Sequence, residues 1–154
     1  MKKFCHLTTL VSAYAVLAIA GCASVPGTPG AMETSVDAST LGGGLRMTGD
    51  QEVPPVSTQA IGAVTIAVSA DGAVQGVISI MGMVATMAHI HLGAPGVNGP
   101  AIVTMTKTAD GKWRVPANSR LSAEQLKAYR AGGLYVNVHS DAHKDGEIRT
   151  QLRP

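Results

Sequence analysis

The chain has 154 residues, with 12 Lys and Arg against 10 Asp and Glu. Two of those lysines, Lys2 and Lys3, sit in an opening segment that reads as a removable leader; without them the two signs balance, and a domain with no net charge and no basic run excludes nucleic acid as a partner. Both cysteines, Cys5 and Cys22, fall in or just after that segment, so the remaining chain has no disulfide and must hold itself together by burying apolar side chains around one core.

In chain order, Lys2 and Lys3 form a basic start, and Leu7 to Ile19 is an apolar run too short to span a bilayer permanently. Ile19-Ala20-Gly21-Cys22 closes it. Small residues before a cysteine let an extended chain enter a narrow peptidase site, and the string resembles the lipobox of bacterial lipoproteins. Residues 1–21 are therefore read as a signal peptide and Cys22 as the lipidation site, acylated with fatty chains such as palmitate. Its partner is the lipid bilayer. Ala23 follows where an aspartate would mark inner-membrane retention in enteric-type bacteria. This points to the outer membrane, facing periplasm or the cell surface.

Residues 22–44 are mostly Ser, Thr, Pro, Gly and Ala, ending in Gly42-Gly43-Gly44. They lack the large apolar side chains that offset ordering entropy, and form a flexible tether. From Leu45 the hydrophobic period is two. Ala60–Ser69 and Ala73–Met81 read as a hairpin turning at Asp71-Gly72. Further strands are expected at Met87–His91, Ala101–Lys107, Lys112–Val115, Leu134–His139 and Glu147–Leu152, with a second hairpin turn at Asp110-Gly111 and a loop break at Asn98-Gly99-Pro100. Ser122-Ala123-Glu124-Gln125 is a capping box flanked by Leu121 and Leu126. It predicts a short helix over Ala123–Ala131 that stops at Gly132 or Gly133. The expected fold is mainly β: an antiparallel β-sandwich, Greek-key or immunoglobulin-like or like that of superoxide dismutase, with one short helix.

Beyond the leader the chain carries four histidines: His89, His91, His139 and His143. His89 and His91 are two apart in a strand and share a face, as does Met87. His139 ends another strand. Each group precedes a Gly-containing loop and a returning strand, and if these two units are similar hairpins packed in one sandwich, their loop ends bring His89, His91 and His139 together into a site for copper or zinc, thioethers such as those of Met81, Met83 and Met87 adding a preference for cuprous copper. The competing reading is that each histidine bonds locally and the methionines fill core space. Glu52, Glu147 and Arg149 are the other polar candidates. Glu147 and Arg149 share a strand face and are expected to make a cross-strand ion pair or to bond a loop backbone. His139-Ser140-Asp141 alternates faces and is no catalytic triad, and no phosphate loop or nucleophile elbow is present. An enzyme is therefore not expected.

Thr48-Gly49-Asp50-Gln51-Glu52-Val53-Pro54-Pro55-Val56, Ala88-His89-Ile90-His91-Leu92-Gly93 with Asn98-Gly99-Pro100, and Tyr135-Val136-Asn137-Val138-His139-Ser140 with Gly146-Glu147-Ile148-Arg149-Thr150-Gln151-Leu152 stand in this order. Together they resemble the opening, central and closing motifs of the CHRD domain, the module first known from chordin and common in exported bacterial proteins. The resemblance spans residues 45–154 and implies an extracytoplasmic β-sandwich with no established catalytic activity, a binding or structural module with an unidentified protein partner. Its motif histidines map to His89, His91 and His139. The H-x-H strand is also similar to one in copper/zinc superoxide dismutase, but that enzyme's dimetal site needs more histidines, and a disulfide, than this chain has. A periplasmic metal-binding protein is the alternative.

Overall fold

A computed structural model describes residues 44–154. The leader, Cys22 and the tether up to residue 43 lie outside the described residues.

Leu45 and Met47 alternate with Arg46 and Thr48, and this short period-two run forms strand β1 (Leu45–Thr48), followed by a single 3-10 turn at Gly49–Gln51. β2 (Ile61–Val68) and β3 (Val74–Met81) make the expected hairpin, in register from Ile61 opposite Met81 to Val68 opposite Val74. At its turn the Ser69 amide donates to the Ala73 carbonyl at 2.9 Å, and Gly72 takes φ 88°. A side chain there would be strained, which is why Asp-Gly marks the turn. The strands β4 (Ala85–Leu92), β5 (Ala101–Thr104), β6 (Thr106–Ala109), β7 (Lys112–Arg114), β8 (Leu134–Ser140) and β9 (Ile148–Gln151) complete the sheet.

All nine strands belong to one sheet in the order β5-β4-β8-β9-β1-β2-β3-β7-β6, antiparallel throughout. β5 and β6 are its two edges, yet they are consecutive in the chain and separated only by Met105. A sheet can satisfy both statements only by curling until its edges adjoin, so the antiparallel β architecture is nearly barrel-like. The expected single strand Ala101–Lys107 is corrected accordingly. Met105 still donates its amide to the Ala88 carbonyl at 2.9 Å, on the β4 side, and its buried side chain marks the point where the chain crosses to β7.

Inside the curl, Met47, Val64, Ile78, Ile90, Val136 and Ile148 form the centre of the core. The helix α1 (Ala123–Arg130) lies beside it with both capping-box bonds made: Ser122 Oγ accepts from the Gln125 amide at 3.2 Å, and Gln125 Oε1 accepts from the Ser122 amide at 2.9 Å. Leu121 is buried and Leu126 packs against the core, the hydrophobic staple the spacing predicts. Gly132, at φ 73°, terminates the helix.

One strand is exceptional. All seven residues of β8 are buried, on both faces. Its even-numbered residues Leu134, Val136 and Val138 enter the core, while Tyr135, Asn137 and His139 point the other way. That outer face is polar and is covered by loops.

Candidate functional site

β4 and β8 pair so that His91 lies opposite Tyr135, His89 opposite Asn137 and Met87 opposite His139; on the far side of β8, Asn137 lies opposite Arg149 of β9. Period-two alternation then gathers the three histidines on one face. One ring nitrogen from each of His89, His91 and His139 lies within 4.8 Å of the other two. His143 is not in the cluster.

Two of the rings are aimed by their second nitrogen. His91 Nδ1 donates to the Gly99 carbonyl at 2.9 Å, and His139 Nδ1 donates to the Lys144 carbonyl at 2.8 Å. Carbonyls only accept, so both rings carry their proton outward and present an unprotonated Nε2 to the cluster. His91 Nε2 is buried and has no partner among the described residues. His139 Nε2 lies 3.0 Å from His89 Nδ1, which donates to it. Burial holds the imidazoles of His89 and His91 below the ordinary histidine value, and the nearby His139 pushes in the same direction. Both shifts favour the neutral form of His89 and His91.

This donor set fits a transition-metal ion. Nitrogens bound at 2.0–2.1 Å to a tetrahedral ion stand about 3.3 Å apart; the 3.0 Å His89–His139 contact is a hydrogen bond, which an ion would replace as His89 gives up its Nδ1 proton or turns its ring. The backbone carbonyls behind His91 and His139 are the outer partners that metal-ligating imidazoles ordinarily have. No carboxylate of the described residues belongs to the cluster.

A second layer supports the rings. Tyr135 stacks on His91, with ring centroids 4.7 Å apart and planes 11° from parallel. Arg149, only 2% exposed, spends its guanidinium on Asn98 Oδ1 at 3.0 Å and the Val97 carbonyl at 3.1 Å. The loop-backbone alternative for Arg149 is the one observed. Glu147 is buried and accepts from Thr58 Oγ1 at 2.7 Å and from Ser140 Oγ. Glu52 is 5% exposed, and burial pushes its carboxyl up to about 7, with Arg149 acting in the opposite direction. Its Oε1, like Asn137 Oδ1, has no partner among the described residues. Gly146 makes room for both: at φ 136°, a Cβ there would lie 2.5 Å from Glu52 Oε1 and 2.7 Å from Asn137 Nδ2.

Sequence reasoning brought the three histidines together and left Asn137 and Tyr135 unnamed as site residues. The available signal was a polar side chain two residues before His139 and an aromatic four residues before it. That spacing puts both on the histidine face.

The segments that meet here come from three distant parts of the chain. Asn98 Nδ2 reaches the Val53 carbonyl at 2.6 Å, so the loop after β1, the loop after β4 and strand β9 are joined at Asn98 and Arg149. A family model described as the CHRD domain matches residues 45–152. The chain belongs to the CHRD-domain family. No curated protein and no solved structure matches it. Membership places the CHRD domain among binding or structural modules. In this CHRD domain the three motif strings are the segments that build the polar face: Glu52 and Val53 from the first, His89, His91, Asn98 and Gly99 from the second, Asn137, His139, Gly146 and Arg149 from the third.

Proposed function

We propose that this protein is an exported, membrane-anchored CHRD lipoprotein whose domain binds a ligand without transforming it, and that the ligand is a single copper or zinc ion. The observation that carries the reading is the convergence of one nitrogen each from His89, His91 and His139 within 4.8 Å, with the outer nitrogens of His91 and His139 tied to backbone carbonyls. A ring whose far proton is held by a carbonyl is oriented to donate a lone pair. The export and anchoring half of the proposal rests on the order of Lys2, Lys3, the apolar run and Ile19-Ala20-Gly21-Cys22.

The untagged full-length protein, purified from membranes in detergent and incubated with copper or zinc, is expected to retain about one ion per chain after desalting. His89→Ala and His139→Ala are each expected to lose it. Metal content at background in the wild-type protein overturns the metal reading and leaves a structural module.

A further inference from the structure

Three candidates stand out beyond the histidine set: the paired orphan acceptors of Glu52 and Asn137, the exposed apolar residues around Val84, and Met87. The first belongs to the polar layer already described, and nothing in the structure shows what covers the second. Met87 goes further.

Large apolar side chains on this domain are mostly buried, yet Met87 is 45% exposed. It leaves the core because β4 alternates: Ala88 and Ile90 point inward, so Met87, His89 and His91 share the outer face. Met87 also lies directly opposite His139 on β8. Side chains opposite one another on antiparallel strands have Cβ atoms roughly 4.5–5.5 Å apart, and the flexible methionine stem carries its sulfur farther still. Met87 therefore starts its side chain on the histidine face, directly across from His139 and at an exposed position, where its flexible stem is free to turn toward the two histidines that meet at 3.0 Å.

Resting on the metal reading above, we propose that Met87 supplies the fourth donor of the site and makes it a site for cuprous copper rather than zinc. The donor chemistry is consistent. Three neutral imidazoles and a thioether bring no negative charge to offset a divalent ion, and a soft sulfur favours a soft monovalent one. A carboxylate in the same place would argue for a harder ion, and none of the described residues brings one to the cluster. Met81, also exposed, ends β3, and Met83 on the β3–β4 connection packs against the core.

The test uses the full-length protein in detergent and compares it with Met87→Leu, a substitution of similar volume at an exposed position. Cuprous affinity is measured by competition with a colorimetric chelator under reducing conditions, zinc affinity by a fluorescent chelator, and the copper environment by X-ray absorption. The expected result is a copper–sulfur shell in the wild-type protein that is absent from Met87→Leu. Cuprous affinity should fall about tenfold or more, the scale on which even outer partners of metal ligands act, and zinc affinity should be unchanged. Tight copper binding with only nitrogen neighbours, or equal cuprous affinity in Met87→Leu, overturns the role of Met87 while the histidine site stands. A parallel loss of zinc affinity overturns the selectivity. No binding of either metal by the wild-type protein removes the histidine site itself.

Discussion

The guanidinium carbon of Arg149 sits 3.4 Å from the centroid of the Tyr135 ring, and that ring is stacked in turn on His91. Because β8 runs between β9 and β4, Tyr135 links a buried cation to a candidate metal ligand. Arg149 also pins the loop after β4 through Asn98 and Val97, and Gly99 of that loop orients His91. Arg149→Met removes charge-assisted hydrogen bonds and is expected to cost about 2–4 kcal/mol of stability in urea titration. Arg149→Lys keeps the charge but not the fork and should fall between the two. A change under about 0.5 kcal/mol in Arg149→Met, the range of an ordinary surface substitution, would show that the guanidinium does not hold the loop.

The carboxyl of Glu52 and the imidazoles of His89 and His91 make opposite contributions to the pH dependence of stability. Glu52 is raised by burial from 4.5 to about 7 in the folded protein. Between those values the folded state binds more protons than the unfolded one, so this contribution falls as pH rises. Removing the carboxyl by Glu52→Gln should therefore increase stability relative to wild type at pH 8 more than at pH 5. Urea midpoints at the two pH values test this, and a constant offset between the proteins would count against a raised Glu52.

His89 and His91 are depressed by burial below their ordinary value of 6.5. The unfolded chain protonates first, so their contribution is present above pH 6.5 and is lost as pH falls through the folded values. In wild type this trend is partly cancelled by Glu52. In Glu52→Gln it is expected to emerge as a rise in stability from pH 5 to 7, flattened again by adding His89→Gln. If the rise persists in that double variant, another group causes it.

Gly146→Ala is expected to destabilise the domain by about 2 kcal/mol or more, since a side chain at φ 136° is strained and its Cβ would press on Glu52 Oε1 and Asn137 Nδ2. Gly96→Ala is the control. Gly96 also has a positive φ, 75°, but a Cβ there meets nothing within 4 Å, so it should cost only the backbone strain. Equal losses in the two variants would show that crowding at Glu52 plays no part.

The lipid anchor is tested apart from the domain. Labelled palmitate should be incorporated into the wild-type chain and not into Cys22→Ser, and the wild-type protein should sediment with membranes. Labelling that survives the substitution would move the acyl group elsewhere or remove it from the scheme.

Local chemistry was legible in the sequence where it is decided locally. Asp71-Gly72, Asp110-Gly111 and the Ser122–Gln125 capping box depend on residues within a few positions of one another, and each forms as its composition dictates. The shared face of His89 and His91 follows from alternation alone. Which strand lies beside which is a long-range outcome, so the pairing of Met87 with His139 and the placing of β1 in the middle of the sheet could not be read from spacing. The break at Met105 was hidden because Met105 keeps the alternation of Ala101 and Val103, and no Gly, Pro or turn residue marks where the chain changes partners. Glu52 was the least legible. A lone glutamate in a loop ordinarily stays in water, and this one is buried by Gly146 and Asn137, which lie far away in the sequence.

Thr48 pairs with Arg149, so the first strand of the domain is hydrogen-bonded to the last. A chain interrupted before Ile148 would leave β4 with β8 on one side and β1 with β2 on the other, and no seam between them. Assembly therefore waits for the final strand, as in other topologies dominated by distant contacts. A nonsense or frameshift lesion just before Ile148 would therefore cost the closure of the whole sheet, not a frayed terminus.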